Sequence, residues 1–224
     1  LDRPGLRTTV VSTLFRADDG PAGVQKALER ICAQAEIAVN AGSTIIVLSD
    51  RGVNRRFAAL PSLLATGAVH QYLVRMHQRA RCGIVVETGE AREVMHFCLL
   101  TGYGAGAVNP YMAFEIIDDL VRREVLVEDE PGKAKKKYIK AIEKGMLKTM
   151  SKIGISTQQS YRCAQIFEAV GLGSTIIDRC FTNTPSRIGG MGLRDLGRET
   201  LMRHAAAYPE RASRCHELDP GGNY

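Results

Sequence analysis

The chain has 224 residues, of which 45% are hydrophobic and 24% charged, and its formal net charge is +6. This length and composition are typical of a soluble globular protein with one large domain or two small ones. No basic-then-apolar leader and no run of about 18 apolar residues is present, so the sequence predicts neither secretion nor a membrane span. The net charge is too small to indicate a nucleic-acid partner by itself.

Cysteine and histidine spacing gives no metal-site pattern. The six cysteines form no CxxC cluster, and the five histidines (His70, His77, His96, His204 and His216) form no HxxxH or HExxH motif. Four cysteines occur in apolar runs, where a free cysteine behaves as a small buried hydrophobe. These four are Cys32, Cys98, Cys163 and Cys180. The sequence therefore predicts reduced thiols and no bound metal.

The first part of the chain alternates between predicted strands and helices. Strands are predicted at 6–15, 43–50, 82–88 and 106–110, from runs rich in Val, Ile and Thr. Helices are predicted at 23–40, 62–80, 90–100 and 111–124, from apolar residues at helical spacing. Four such alternations predict an α/β fold with a parallel sheet, either doubly wound or part of a barrel.

At residue 125 the pattern changes to a mainly helical one. An acidic patch (128–130) precedes a lysine-rich helix whose apolar face includes Tyr138, Ile139, Ile142, Met146 and Met150. Short helices are predicted around Ile166–Val170 and Ile176–Ile177, and a last one to about Tyr208. The glycines of 187–192 predict a turn-rich connection. We therefore divide the chain into an α/β part, 1–124, and a mainly helical part, 125–224.

Polar residues follow the predicted strands at the edge where α/β proteins usually bind ligands. Asp50, Glu87 and Asn109 are the candidates, because a carboxylate there can act as a general base or bind a cation. The alternative is that Asp50 and Glu87 cap helices or pair with Arg51 and Arg92. No matched acid and base pair is apparent, so we assign no catalytic, cofactor-binding or metal-binding residue.

Two other motifs are candidate ligand-binding sites. The GxG of 101–108 follows a helix and precedes a strand, which is the reverse of the phosphate-binding order, so it predicts a helix stop. Lysines at 133, 135, 136, 137, 140, 144, 148 and 152 form a basic patch with only Tyr138 interleaved. A solvated helix face or an interdomain contact is the default interpretation, with nucleic-acid binding as the alternative.

The stretch MSKIGISTQQSYRCAQIFEAVGL (150–172) resembles an active-site loop at first sight. Cys163 is a candidate nucleophile, although no histidine is near it in the sequence. The alternative assigns Gly154 as a helix stop and Ser156 or Thr157 as the cap of an amphipathic helix.

Four stretches together resemble one known family. They are LSDRGVNRRFAALPSLLATGAVHQYLVR, VVETGEAREVMHFCLLTGYGAGAVNPYMAFE, KGMLKTMSKIGISTQQSYRCAQIFEAVGL and FTNTPSRIGGMGL. In this order they resemble the central region of the glutamate synthase large subunit. The resemblance implies a degenerate (β/α) barrel-like sheet followed by a mainly helical C-terminal part. One departure is Met95, where the family usually has a second histidine before the one matching His96.

The resemblance also implies a place in a larger enzyme. Glutamate synthases release ammonia from glutamine in an amidotransferase domain and add it to 2-oxoglutarate at FMN, with electrons passing through a 3Fe-4S cluster. They receive these electrons from NAD(P)H through a small subunit or from ferredoxin. The six cysteines lack the clustered spacing of the iron–sulfur site, so we expect no cofactor bound by this segment. We expect both chain ends to be cut from a longer cytoplasmic or plastid polypeptide.

Two functions therefore remain for this segment. The first is a connecting part that joins the amidotransferase and FMN domains and supports ammonia transfer between them, inactive when isolated, with no nucleic-acid or membrane partner. The second is an autonomous α/β module that binds a ligand or catalyses a reaction through Asp50, Glu87 and Asn109.

Overall fold

A computed structural model describes residues 5–126 and 130–209. The strands are β1 (Thr8–Ser12), β2 (Leu14–Arg16), β3 (Ile45–Ser49), β4 (Phe57–Ala59), β5 (Gly83–Glu87), β6 (Ala107–Asn109), β7 (Ala169–Leu172) and β8 (Ser186–Met191). The α-helices are α1 (Gly23–Asn40), α2 (Ser62–Arg75), α3 (Val94–Gly102), α4 (Tyr111–Arg122), α5 (Pro131–Ile153), α6 (Gln158–Tyr161), α7 (Ser174–Cys180) and α8 (Leu193–Ala207). Two short 3-10 helices span Ala17–Ala22 and Arg79–Arg81.

The main sheet is parallel, with strand order β1-β3-β5-β6. Each strand pairs with the next one along the chain in this sheet, and helices connect them. Successive strands of a (β/α) barrel are neighbours in the same way. The prediction of an α/β fold with a barrel-like parallel sheet and a mainly helical C-terminal part is therefore confirmed.

Burial explains why these segments form strands. Ile46, Val47 and Leu48 of β3 are all buried, as expected for a strand covered on both faces. In α1, by contrast, the buried residues recur at helical spacing, and Val24, Leu28 and Ile31 pack against the sheet as part of the main core. The bounds of α1 are those predicted.

The N-terminal segment forms two short strands in different sheets, whereas the sequence predicts one strand. Instead of one strand at 6–15, β1 ends at Ser12, and β2 then leaves the main sheet to pair antiparallel with β4. Thr13 lies at the break, where its N–H and its Oγ1 both donate to the carbonyl of Ser49. The strand β4 was not predicted, because three residues are too few to show a period.

The second part contains two strands that the sequence analysis missed. A short helix was predicted around Ile166–Val170, but β7 begins at Ala169. The glycine-rich 187–192 segment was predicted to be a turn, but it forms β8, which pairs parallel with β7. Both predictions were wrong because glycines in a strand give no strand signal. The helices α5, α7 and α8 were correctly predicted.

Residues from both parts of the chain share one hydrophobic core. Ile142 of α5 and Ile176 and Phe181 at α7 join Ile46 and Ile84 of the main sheet. A smaller cluster contains Cys98, Met150 and Tyr161. The division at residue 124 stays a prediction. None of the helices in the described parts of the chain combines the length and the hydropathy that a membrane span requires.

Candidate functional site

A row of polar residues closes the carboxyl edge of the main sheet. Ser49, Glu87 and Asn109 are the last residues of β3, β5 and β6, and the strand register places them side by side. Glu87 accepts hydrogen bonds from Ser49 Oγ (2.6 Å), Asn109 Nδ2 (3.2 Å) and Arg51 Nε (2.8 Å). The structure thus brings Glu87 and Asn109 together as predicted, and Glu87 pairs with Arg51 rather than with a reacting group.

Asp50 fixes the loop that follows β5. Its carboxylate accepts from Thr88 Oγ1 at 2.6 Å and from the Gly89 N–H at 3.0 and 3.1 Å. The residue is buried, so these bonds compensate for the desolvation of its charge. Asp50 therefore holds a loop in place, whereas the sequence suggested a general base or cation ligand or, as the alternative, a helix cap or an arginine partner.

The electrostatics of this edge favour an ionised Glu87 and a neutral Tyr111. Burial acts to raise the pKa of Glu87, but the hydrogen bonds from Arg51 and Ser49 outweigh it, and the pKa lies below its usual value. The guanidinium of Arg51 also lies over the Tyr111 ring, 4.1 Å from its centroid. Burial and a hydrogen bond to Asp50 raise the pKa of Tyr111. A general base for catalysis would need a pKa closer to neutrality than Glu87 has.

A second candidate emerges only in three dimensions. His70 of α2 lies beside Cys163, with 3.1 Å between Nε2 and Sγ, although 93 residues separate them in sequence. They line a cavity of about 210 Å³ together with residues of 102–103, 164–167 and 182–184. Cys163 is exposed, so the prediction that it is buried was wrong, whereas Cys32, Cys98 and Cys180 are buried as predicted.

The hydrogen bonds of this pair oppose nucleophilic catalysis. Arg79 Nε donates to His70 Nδ1 at 2.8 Å, so the imidazole proton is on Nε2 and is donated to the Cys163 sulfur. Activating the thiol would require an unprotonated nitrogen there. Burial lowers the pKa of His70 to about 4, and partial desolvation of the Cys163 sulfur, at its part-buried contact with His70, raises the pKa of that thiol. Both groups are therefore neutral near pH 7, and the contact fastens the 162–167 loop to α2.

The rest of the 150–172 stretch follows the capping interpretation in part. Gly154 ends α5 in the left-handed conformation (φ 80°). The Thr157 side chain accepts from the Ser160 N–H at 3.3 Å and so caps α6. The predicted amphipathic helix, however, is only the four residues Gln158–Tyr161. Cys163 and Gln165 have positive φ (57° and 56°), which is incompatible with a longer helix.

The described residues do not form a binding site for FMN or for a 3Fe-4S cluster, the cofactors of the family that the sequence resembles. An iron–sulfur cluster needs several cysteines together, and no group of three His, Cys, Asp or Glu residues able to hold a metal is found in the described parts of the chain. At the carboxyl edge, the charges of Asp50 and Glu87 would repel the phosphate of a flavin nucleotide. The nearby cation, Arg51, is already paired.

One open cleft lies next to this edge. Its volume is about 500 Å³, and its walls include Gly89 and Arg92 of the loop after β5, His96 of α3, and Thr200 and Arg203 of α8. Glu90, also in the wall, accepts from the Ser62 N–H at the start of α2 (2.7 Å). No signal in the sequence joins α8 to this loop, because the contact is between residues more than 100 positions apart.

Comparison with known proteins decides the family. Residues 1–173 match the family described as "Glutamate synthase central domain". The chain belongs to the glutamate synthase central-domain family. Among curated glutamate synthases, the NADH enzyme of Schizosaccharomyces pombe is 45% identical over 99% of this chain, and the NADPH enzyme large chain of Bacillus subtilis is 42% identical over 99%. The ferredoxin-dependent enzyme of Pyropia yezoensis is 37% identical over 96%.

The glutamate synthase relatives are much longer than this chain, which spans only 11–15% of their length. Among solved structures, an L230A mutant of flavocytochrome b2 with benzoylformate shows a weak likeness. Its TM-score is 0.48 at 14% identity, over 69% of this chain and 33% of that one.

Proposed function

We propose that this chain is the central segment of a glutamate synthase, an oxidoreductase that makes glutamate from glutamine and 2-oxoglutarate. In this role it connects the amidotransferase and FMN domains and supports ammonia transfer between them. The observation that carries the proposal is the match to the central-domain family over residues 1–173. FMN and the 3Fe-4S cluster would be bound by other parts of the polypeptide, and the isolated segment would be inactive.

The carboxyl edge of the sheet suits a connecting role. Its carboxylates are saturated by internal hydrogen bonds, which hold the loops after β3 and β5 in fixed positions. A surface that keeps two catalytic domains in fixed relative positions needs such rigidity, because small displacements of reacting groups lower the reaction rate. The electron donor remains open among NADH, NADPH and ferredoxin, and the location remains a prediction, cytoplasmic or plastid.

The test uses the whole enzyme and isotopically labelled glutamine. Glutamine carrying ¹⁵N in its amide is supplied together with excess unlabelled ammonium, and the ¹⁵N fraction of the glutamate formed is measured. Channelled ammonia keeps the label, whereas ammonia released to solvent is diluted. We expect Glu87→Ala, which frees Arg51 and Asn109, to lower the ¹⁵N fraction, while Arg194→Ala on the exposed face of α8 leaves it unchanged. If the unmodified enzyme already gave the ¹⁵N fraction expected for complete mixing with the unlabelled ammonium, the role in ammonia transfer would be contradicted.

The second candidate, an autonomous ligand-binding module, is favoured by the open cleft of about 500 Å³ next to the strand ends. Calorimetry on the 224-residue chain with glutamine, 2-oxoglutarate and FMN tests it. We expect no saturable binding of any of the three, because the carboxylates at the strand ends are already satisfied. Micromolar binding that is lost in Arg203→Ala would establish the module instead.

A further inference from the structure

The positive charge of this chain is concentrated in one helix. Eight of the nine lysines lie in α5, and the rest of the chain uses 21 arginines and one lysine, Lys26. Without those eight lysines, the remaining 22 basic and 24 acidic residues would give a formal charge of −2 rather than +6. The lysines of α5 thus determine the sign of the net charge.

The lysines are also focused on one side of α5. At about 100° per residue, Lys133, Lys136, Lys137, Lys140, Lys144 and Lys148 fall within an arc of about 120° on the helix surface. All six are exposed. Glu143, the single acid of α5, lies beside this arc and not within it. We call these six residues the lysine face.

Among the residues that the structure describes, few acids neutralise the lysine face. Lys133 pairs with Glu130 at 3.6 Å, and Lys135, outside the face, pairs with Asp118 at 2.6 Å. Lys136, Lys140, Lys144 and Lys148 form no ion pair with any residue that the structure describes. They are spaced four apart, so neighbouring lysines on the helix surface repel one another. The arrangement therefore destabilises the isolated helix, and an external partner would relieve the repulsion.

The residues on the other faces of α5 indicate which class of partner the lysine face can bind. Ala134, Ile142 and Met150 are buried against the core, so α5 has no free apolar face to insert into a lipid surface. The lysine face has no arginine and no aromatic residue to stack on a base. Tyr138, the one aromatic of α5, packs on Phe114 and donates its hydroxyl to the Arg92 carbonyl. Leu147 lies within the arc and is 64% exposed, an apolar contact that suits a protein surface.

We propose that the lysine face of α5 is a docking site for an acidic protein surface that lies outside these 224 residues. Lysine is a strongly hydrated point charge and is depleted in the buried centres of interfaces. The contact is therefore held by long-range attraction, forms rapidly and weakens with salt. The α5 charge supports this docking whether or not the segment connects two catalytic domains.

The test is zero-length cross-linking of the native protein purified from its source. A carbodiimide joins a lysine amine to a carboxylate only where the two are in contact, and mass spectrometry identifies both residues. We expect links from Lys136, Lys140, Lys144 or Lys148 to acidic residues outside this sequence. Links to a distant part of the same polypeptide identify a neighbouring domain, and links to a co-purifying protein identify a separate subunit. Lys26, exposed on α1, is the internal control and should form few such links.

Salt and paired variants complete the test. Raising NaCl from 0.1 to 1 M shortens the Debye length from about 10 to about 3 Å and should cut the α5 cross-links about tenfold. Lys140→Glu with Lys144→Glu should abolish the remaining α5 cross-links. Arg194→Glu with Arg203→Glu makes the same charge change on exposed positions of α8 and should leave them intact. Far-UV circular dichroism verifies that both double variants fold.

Three results would overturn the proposal. The first is an α5 cross-link yield no greater than that of Lys26. The second is cross-links only to acids of another copy of this same 224-residue sequence. The third is ultraviolet cross-linking of α5 to RNA that ribonuclease abolishes, which would assign the lysine face to nucleic acid.

Discussion

At the scale of single residues, His70 shows how burial and hydrogen bonds define a side chain's role. It is 8% exposed, accepts from Arg79 and donates to Cys163. Arg79 in turn donates to the carbonyls of Cys82 and Gly104. The cluster therefore connects α2 to the loop before β5 and to the loop after α3. The proximity of a thiol and an imidazole therefore serves packing here and not catalysis.

This geometry predicts a pH dependence of stability. The pKa of His70 falls from an ordinary 6.5 to about 4, mainly through burial, with Arg79 and Arg162 adding repulsion. The unfolded chain then binds the proton more readily, so His70 contributes stability that is fully present above pH 6.5 and is lost as the pH falls towards 4. Between pH 7.5 and 5 the loss should be about 2 kcal/mol.

Urea unfolding at both pH values measures this loss. His70→Gln keeps one acceptor and one donor but does not titrate, so its stability should fall by less over the same interval. His77→Gln, at an exposed position with no such cluster, is the matched control and should behave like the unmodified chain. An identical pH dependence in His70→Gln and the unmodified chain would refute the assignment.

At the scale of elements, glycine positions determine how closely helices approach. Gly67 lies in the middle of α2, where α2 crosses α7. A Cβ on Gly67 would meet the backbone carbonyl of Cys180 and would lie 2.9 Å from Cε1 of Phe181. Backbone cannot rotate away as a side chain can, so the two helices would have to separate.

Gly67→Ala should therefore destabilise the fold by about 1–3 kcal/mol, even though alanine is the better helix former. Gly132→Ala is the matched control, since Gly132 lies in the first turn of α5 and, among the described residues, no atom beyond its chain neighbours and the local helix backbone lies within 4 Å of its Cβ position. That change should be neutral or stabilising by up to about 1 kcal/mol. Thermal or urea unfolding compares the two, and a stabilising Gly67→Ala would contradict the close crossing of α2 and α7.

At the scale of the whole molecule, one core joins the α/β part and the helical part. Ile46 of β3 and Ile176 of α7 are both fully buried in it, although the predicted boundary at residue 124 separates them. Elements that share buried contacts unfold together more readily than elements joined only by a linker.

We therefore expect a single unfolding transition for the chain. Ile46→Ala and Ile176→Ala should each remove about 2–5 kcal/mol and move the same transition, because each leaves a cavity in the shared core. Far-UV and near-UV circular dichroism should report coincident midpoints. If Ile176→Ala shifted only one of two separable transitions, the division at residue 124 would mark independent domains.

The sequence by itself determined the helices with strong apolar periodicity, the parallel strands of the main sheet and the family. Those features are local or depend on long motifs, so they are readable without coordinates. It also placed Glu87 and Asn109 at one edge, since parallel strands end on the same side of a sheet. Only the tertiary structure paired β7 with β8, because their glycines hide the strand pattern. It alone also paired His70 with Cys163, because 93 residues separate them. The protonation state of His70 was equally unreadable from the sequence, since it depends on burial and on the position of Arg79.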